Sequence, residues 1–388
     1  MLNYLSPLSL PNAKNPYPYY AMLRQAEELI YDQQHQLWVV SRAQLVQEIL
    51  EDERFVVRPT AQTIPANILG SSAGEVFADL MRMNEGERHA IPKQVFTTSF
   101  RQINFSEIHQ HLISLSMTLD AKTDLNEWIM SLAVKSVAKL CGFAEAELVQ
   151  VYQWTADFVA CLSALSTPEQ LVNASVAAKN LQLHFDQLLQ QATPQANSLL
   201  SSLQQEAQQL GWHQCHELKH NLIGLLSQSY EATAGLIANS MVVLQGDVEL
   251  RKTLQTQPES LPAFIEEVLR YDAPIQNTRR FVTQNCRLAG QELQAGECLL
   301  LLLASANRDS QHNSEADQFQ LHRTNRRSFS FSHARHLCPG QTLAKQITTH
   351  ALASLLQQFS TQDWQDLQWT YRPSHNARIP QFHSKEAT

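Results

Sequence analysis

Apolar positions recur every three to four residues along much of the chain, a pattern that predicts a mainly helical protein. The run Leu222 to Leu244 is strongly apolar, as expected of a long helix crossing the middle of a molecule. A second helix is expected through Glu267-Val268-Leu269-Arg270, ended by Tyr271-Asp272-Ala273-Pro274. Leu343, Ala344, Ile347, Ala351, Leu352 and Leu355 mark a third. Trp38-Val39-Val40-Ser41 alternates like a strand, and Cys298 to Ala304 reads as a short apolar one. Strands are therefore expected near residues 28–40, over 278–304 and at the C-terminus. No Gly/Ser/Pro-rich linker or internal repeat divides the sequence, so a single domain over residues 1–388 is expected.

Composition narrows the class. With 388 residues, 44% of them hydrophobic, the chain can bury a large core. A net charge of −8 argues against a nucleic-acid partner. The six cysteines (141, 161, 215, 286, 298, 338) form no CxxC pair, so reduced thiols in the cytoplasm are expected. No apolar run approaches the ~20 residues of a membrane helix. Met1-Leu2-Asn3-Tyr4-Leu5-Ser6-Pro7 has neither the basic flank nor the apolar core of a signal peptide. A cytoplasmic monomer without a membrane partner is the expectation.

The chemistry centres on Phe331-Ser332-His333-Ala334-Arg335-His336-Leu337-Cys338-Pro339-Gly340. A Phe stands seven positions before the cysteine, a His two before it and a Gly two after it, and a helical run follows. A thiolate at the mouth of a helix receives backbone N–H groups and the positive end of the dipole, which lower its pKa and hold the sulfur as a ligand. The run resembles the haem-binding loop of the cytochrome P450 superfamily, in which the sulfur is the proximal iron ligand. The ordered series before it supports the likeness: Glu267 and Arg270 at i, i+3, then Arg280, Gly290, Asn307-Arg308-Asp309 and Arg323. In the family the Glu and Arg lock to a later Arg, here Arg323, as a structural network behind the haem.

The resemblance implies a triangular, mainly α fold with small β-sheets, and haem b between the central helix and the Cys338 loop. Met83-Asn84-Glu85-Gly86-Glu87-Arg88-His89 resembles the family's approach to a propionate-binding helix, with His89 and Lys93 as the contacts; Arg280 and His336 are further propionate candidates. With Phe331, Cys338 and Gly340 they make up the expected cofactor set. Electrons would come from a ferredoxin or flavodoxin. No acid lies between Asp317 and Asp363, and Arg326, Arg327, Arg335 and Lys345 are expected to steer that acidic partner.

Two positions break the family pattern. The phasing set by Glu267 aligns Gln228-Ser229-Tyr230-Glu231-Ala232-Thr233 with the stretch over the iron. Glu231 matches the family's acid, but Ser229 replaces its Gly and Ala232 its Thr. Thr233 follows about 100° further round a helix and needs a register shift or a bulge to substitute. Ser229, Thr233, a water held by Glu231 or a hydroxyl of the substrate could each relay protons to dioxygen. Ala334 stands where the loop usually has Gly, which is expected to lose only the option of positive φ.

The resemblance implies an enzyme of secondary metabolism that hydroxylates a small organic substrate with dioxygen. Radical coupling of phenols is the alternative, and a haem sensor without turnover a lesser one. The family's substrate contacts fall in the loop before His89, in Val159 to Thr167, in the central helix, in Ile275 to Thr278 and in the C-terminal turn. Phe158, Leu162, Tyr230 and Ile275 suit an apolar or aromatic ligand, and core packing explains them equally. His213, Cys215, His216 and His220 lack the remaining elements of a zinc motif and are expected on a solvated helix start.

Overall fold

The computed structural model describes residues 6–117, 119, 123–163, 166–191 and 198–383. Met1–Leu5, and Ala164 and Leu165 of the expected substrate-contact segment, lie outside the described residues. The chain gathers into two compact units, each built from separate stretches of sequence. The first holds Met1–Thr60, Ala232–Cys338 and Thr348–Thr388, and the second Ala61–Glu231 with Pro339–Ile347.

All described strands belong to the first unit. They are β1 (Leu29–Asp32), β2 (Leu37–Val40), β3 (Phe55–Val56), β4 (Thr278–Val282), β5 (Cys286–Leu288), β6 (Gln291–Leu293), β7 (Cys298–Leu301), β8 (Gln368–Tyr371) and β9 (Pro380–His383). Five pair in the order β1-β2-β7-β4-β3, and the others form two hairpins, β5-β6 and β8-β9. The period of two along a strand sends alternate side chains to opposite faces. Thus Leu37 and Val39 of β2, with Leu300 of β7, pack on Tyr17, Tyr20 and Leu23. Val40, Leu299 and Leu301 pack instead on Leu45, Val46, Ile49 and Leu50 of the helix Ala43–Glu51. The apolar run expected as one strand to Ala304 stops at Leu301, and Leu303–Asn307 is a short helix. Continuous hydrophobicity marked burial on both faces there and could not separate strand from buried helix.

The second unit is helical. The central helix, Cys215–Gly246, is 32 residues long, and its C-terminal part continues into the first unit. Its N-terminal part carries a clamp to the segment before Asn84. Asn221 accepts from the Met81 amide at 2.7 Å through Oδ1 and donates to Asp79 O at 2.9 Å through Nδ2. Gly224 packs closely there: a Cβ would come within 2.6 Å of Leu80 Cδ2, and that leucine side chain would have to shift. No helix among the described residues is long and apolar enough to cross a membrane.

Candidate active site

The helix Leu261–Tyr271 presents Glu267 and Arg270, both with 0% exposure. Glu267 Oε1 accepts from Arg270 Nη2 at 2.7 Å, Arg323 Nε at 3.0 Å and the Gln320 amide at 3.0 Å. Oε2 accepts from Arg270 Nε at 3.1 Å and Arg326 Nε at 2.9 Å. Burial acts to raise the pKa of Glu267, yet the bonds and charge of Arg270, with Arg326 and the Gln320 amide, hold it below the usual carboxylate range. One carboxylate cannot neutralise three guanidiniums, and backbone carbonyls solvate the remainder: Arg270 donates to Ala316 O at 2.7 Å and Arg323 to Gln318 O at 2.8 Å.

The expected triad is therefore a tetrad. Arg326, expected to steer an electron donor, belongs to the lock because its loop folds back over Glu267. Arg335 is also committed. It donates to the carbonyls of Asp52 at 3.2 Å and Phe55 at 2.8 Å, beyond the helix Ala43–Glu51. His333 reaches Glu51 Oε1 at 2.8 Å. Arg327 stays exposed, and Lys345, in the second unit, is half-buried.

The lock connects to the cysteine loop through neutral groups. Asn307 Nδ2 donates to Ser330 Oγ at 2.9 Å, its Oδ1 accepts from the Phe329 amide at 2.7 Å, and Ser330 Oγ donates to Leu269 O. Position 330 is thus tied to the lock helix one residue before the loop begins. Within the loop the Cys338 amide donates to Phe331 O at 2.8 Å, so the phased Phe and Cys close a ring. Ala334 adopts φ +50° and Ser332 φ +64°. The left-handed conformation that Ala334 was expected to forgo is the one it occupies, at a cost of about 1–2 kcal/mol for a residue with a Cβ. The helix Gln341–Gln358 opens three residues after Cys338.

Among the cysteines, Cys141 and Cys161 are pushed up to about 12 and Cys298 to about 11 by burial, and burial raises Cys286 as well. Burial favours the neutral thiol at those four. Cys338 is half-buried in a closed loop at the approach to a helix, and its setting fits a haem-thiolate sulfur.

The central helix is α-helical from end to end, without the bulge that would bring Thr233 into register with Ala232. Thr233 is buried, and Glu231 and Ala232 are half-buried. Ser229 commits its hydroxyl proton to Leu226 O at 2.7 Å. Arg82, on the short turn Met81–Met83, is open to solvent, yet protein surrounds it closely enough for desolvation to lower its pKa, against the charge of Glu231. Sequence reasoning missed this neighbour because 149 positions separate the two residues. His89 is buried and bonds Met81 O at 2.8 Å through Nδ1; Lys93 lies one turn on in the same helix, Glu87–Arg101. Arg280 is buried on β4 and donates to Arg279 O at 2.8 Å, and His336 is half-buried on the turn Ala334–His336. Phe158 is fully buried, and Tyr230, also buried, packs on Tyr152 with ring centroids 6.1 Å apart.

The family model described as Cytochrome P450 matches residues 218–374. The biotin biosynthesis cytochrome P450 of Bacillus subtilis (strain 168) is 25% identical over 368 residues, 93% of each chain. The 20-oxo-5-O-mycaminosyltylactone 23-monooxygenase of Streptomyces fradiae is 26% identical, over 83% of this chain and 76% of its own. Epothilone B-bound cytochrome P450epoK superposes with a TM-score of 0.86 over 98% of each chain, at 19% identity. Matched along nearly its whole length, with the phased cysteine loop and the Glu267–Arg270 lock in place, the chain belongs to the cytochrome P450 superfamily and is a haem-thiolate monooxygenase of the bacterial type.

Proposed function

We propose that this monooxygenase hydroxylates a small, largely apolar or aromatic organic molecule of secondary metabolism, with electrons from a ferredoxin or flavodoxin. The observation that carries the reading is the Cys338 loop, closed by its 2.8 Å bond to Phe331 O and tied through Ser330 to the lock helix. Cys338 would ligate the iron of haem b. His89, Lys93, Arg280 and His336 would pair with its propionates, and Phe331 and Gly340 would shape the loop. Bound there, the haem supplies dioxygen activation. Residues 1–388 act as one catalytic domain on this reading, supported by the two helices, Cys215–Gly246 and Gln341–Gln358, that each contribute to both units.

The protein's own part is to position the substrate and deliver protons. Ala232 offers no hydroxyl, Thr233 stands about 100° away, and Ser229 has given its proton to a backbone carbonyl. The relay then falls to a water held by Glu231 or to a hydroxyl on the substrate. The missing hydroxyl at 232 also favours a second outcome, coupling of phenols, since a phenolic substrate brings its own donor. The test is the carbon monoxide spectrum of the reduced protein, followed by NAD(P)H-driven turnover with surrogate ferredoxin and reductase. A strongly red-shifted Soret band, lost in Cys338→Ser and kept when any other cysteine is replaced, is expected. A Cys338→Ser protein that keeps the band would overturn the ligand assignment, and absence of turnover would leave a haem protein without catalysis.

A further inference from the structure

We propose that the start of the central helix, with the end of the helix Ser72–Asp79, forms a zinc-class divalent cation site: Asp79, His216 and Glu217, with His220 orienting Asp79. One ligand atom from each of the three lies within 4.8 Å of the others. Each carboxylate is held through one oxygen by a strong donor, and its second oxygen, which also takes a contact from His220 or Arg88, faces the cluster. Asp79 Oδ1 accepts from Arg88 Nη2 at 2.7 Å, so Oδ2 faces His220 Nδ1 at 2.7 Å and His216 Nε2 at 3.9 Å. Glu217 Oε2 accepts from Trp212 Nε1 at 2.9 Å, and its Oε1 lies 3.8 Å from Arg88 Nε, a contact an ion would have to displace.

The donor set suits zinc. An imidazole and two carboxylates bind it at about 2.1 Å, so neighbouring ligands around a tetrahedral ion stand about 3.4 Å apart. The three atoms lie within 4.8 Å of one another, so side-chain rotation must close the set by up to about 1.4 Å to reach that distance, and His216, whose side chain is 57% exposed, has room to turn. One position stays open to water. His220 was expected on a solvated helix face but is 5% exposed, held between Asp79 and Gln182 Oε1 at 3.1 Å. A buried histidine that donates to a ligating carboxylate is the outer-shell partner such sites use to fix ligand orientation. The positive end of the helix and Arg88 oppose a cation; two carboxylates on one ion outweigh them. An ion there would fasten Asp79, and with it the turn carrying Arg82, to the central helix.

The experiment titrates the haem-loaded full chain with Zn2+ against a chromophoric chelator. One equivalent should bind, and His216→Ala and Glu217→Gln should each weaken it at least tenfold. His220→Gln should weaken it roughly 10- to 100-fold, as loss of an outer-shell partner does. His375→Ala, an exposed histidine outside the cluster, should change nothing. Zn2+ should also raise Tm in the wild type and fail to do so in His216→Ala, which leaves the buried groups intact. Equal affinity in wild type and His216→Ala, or the same loss in His375→Ala, would overturn the site in favour of scattered surface histidines.

Discussion

Arg326 donates from Nε to Glu267 Oε2 at 2.9 Å, which makes a side chain expected on the surface the third guanidinium on one buried carboxylate. Removing Glu267 strands those charges, so Glu267→Ala should cost about 3–5 kcal/mol and yield poorly folded protein without haem. Arg326 is 16% exposed and one donor among several, so Arg326→Ala should cost less, about 1.5–3 kcal/mol. Urea unfolding of the two variants, with haem content measured in parallel, gives the ranking; a haem-loaded, fully stable Glu267→Ala would contradict it.

The same carboxylate sets a pH dependence. The folded pKa of Glu267 lies below its unfolded value, so the unfolded state binds the proton more readily. The stabilisation is full above the ordinary Glu pKa of about 4.3 and is lost as pH falls through the lower, folded value. Stability measured from pH 6 downward should therefore fall less steeply in Glu267→Gln than in wild type. Parallel acid limbs would assign the acid sensitivity to other carboxylates.

The lock and the cysteine loop were legible in the sequence because their residues are close along the chain or stand in a fixed order. Glu267 and Arg270 are one helical turn apart, and Phe331 and Cys338 are bracketed by His336 and Gly340. Arg326 was not legible: its loop has no period, and only the backbone path brings it to Glu267. His220 was hidden for a related reason, since its partner Asp79 lies 141 positions away and its neighbours in sequence are polar. At Ala334 residue type argued against the conformation found, because Asn307, Ser330 and Arg335 fix the loop around it and override local preference.

Ala334 is accordingly a strained position that glycine would relieve. Its side chain is exposed, so removing the Cβ loses little packing, while φ +50° becomes freely available. Ala334→Gly should raise stability by up to about 1 kcal/mol, the left-handed penalty less the added chain entropy of glycine. Ala334→Val, branched at Cβ, should lower it. Thermal unfolding of both haem-loaded variants measures this, and a destabilised Ala334→Gly would mean the loop relaxes without strain.

Charge reversal should separate the basic groups of residues 323–345. Arg327→Glu leaves the lock and the Arg335 carbonyl contacts untouched, and should slow reduction by ferredoxin and flatten its dependence on salt. Arg326→Glu should unfold the protein, because it sets two carboxylates against each other in a buried site. Stopped-flow reduction at several ionic strengths, beside a substrate-binding titration, tests the pair. A folded Arg326→Glu with slow reduction would return that residue to the docking role; unchanged reduction in Arg327→Glu would remove it from that role.

The last expectation concerns Ala232, half-buried on an uninterrupted helix where the family has a hydroxyl. If the substrate's own hydroxyl relays protons, electron consumption should be tightly coupled to product with hydroxyl-bearing substrates. Analogues without that group should release peroxide. Ala232→Thr should then improve coupling on the poor analogues and change the good substrates little, because a preorganised donor helps only where none is already supplied. Peroxide-to-product ratios for wild type and Ala232→Thr on both substrate classes decide it. Tight coupling of the wild type on hydroxyl-free analogues would instead assign the relay to water held by Glu231. Glu231→Gln should then raise peroxide release on every substrate, since the amide can hold the water but cannot accept and return its proton.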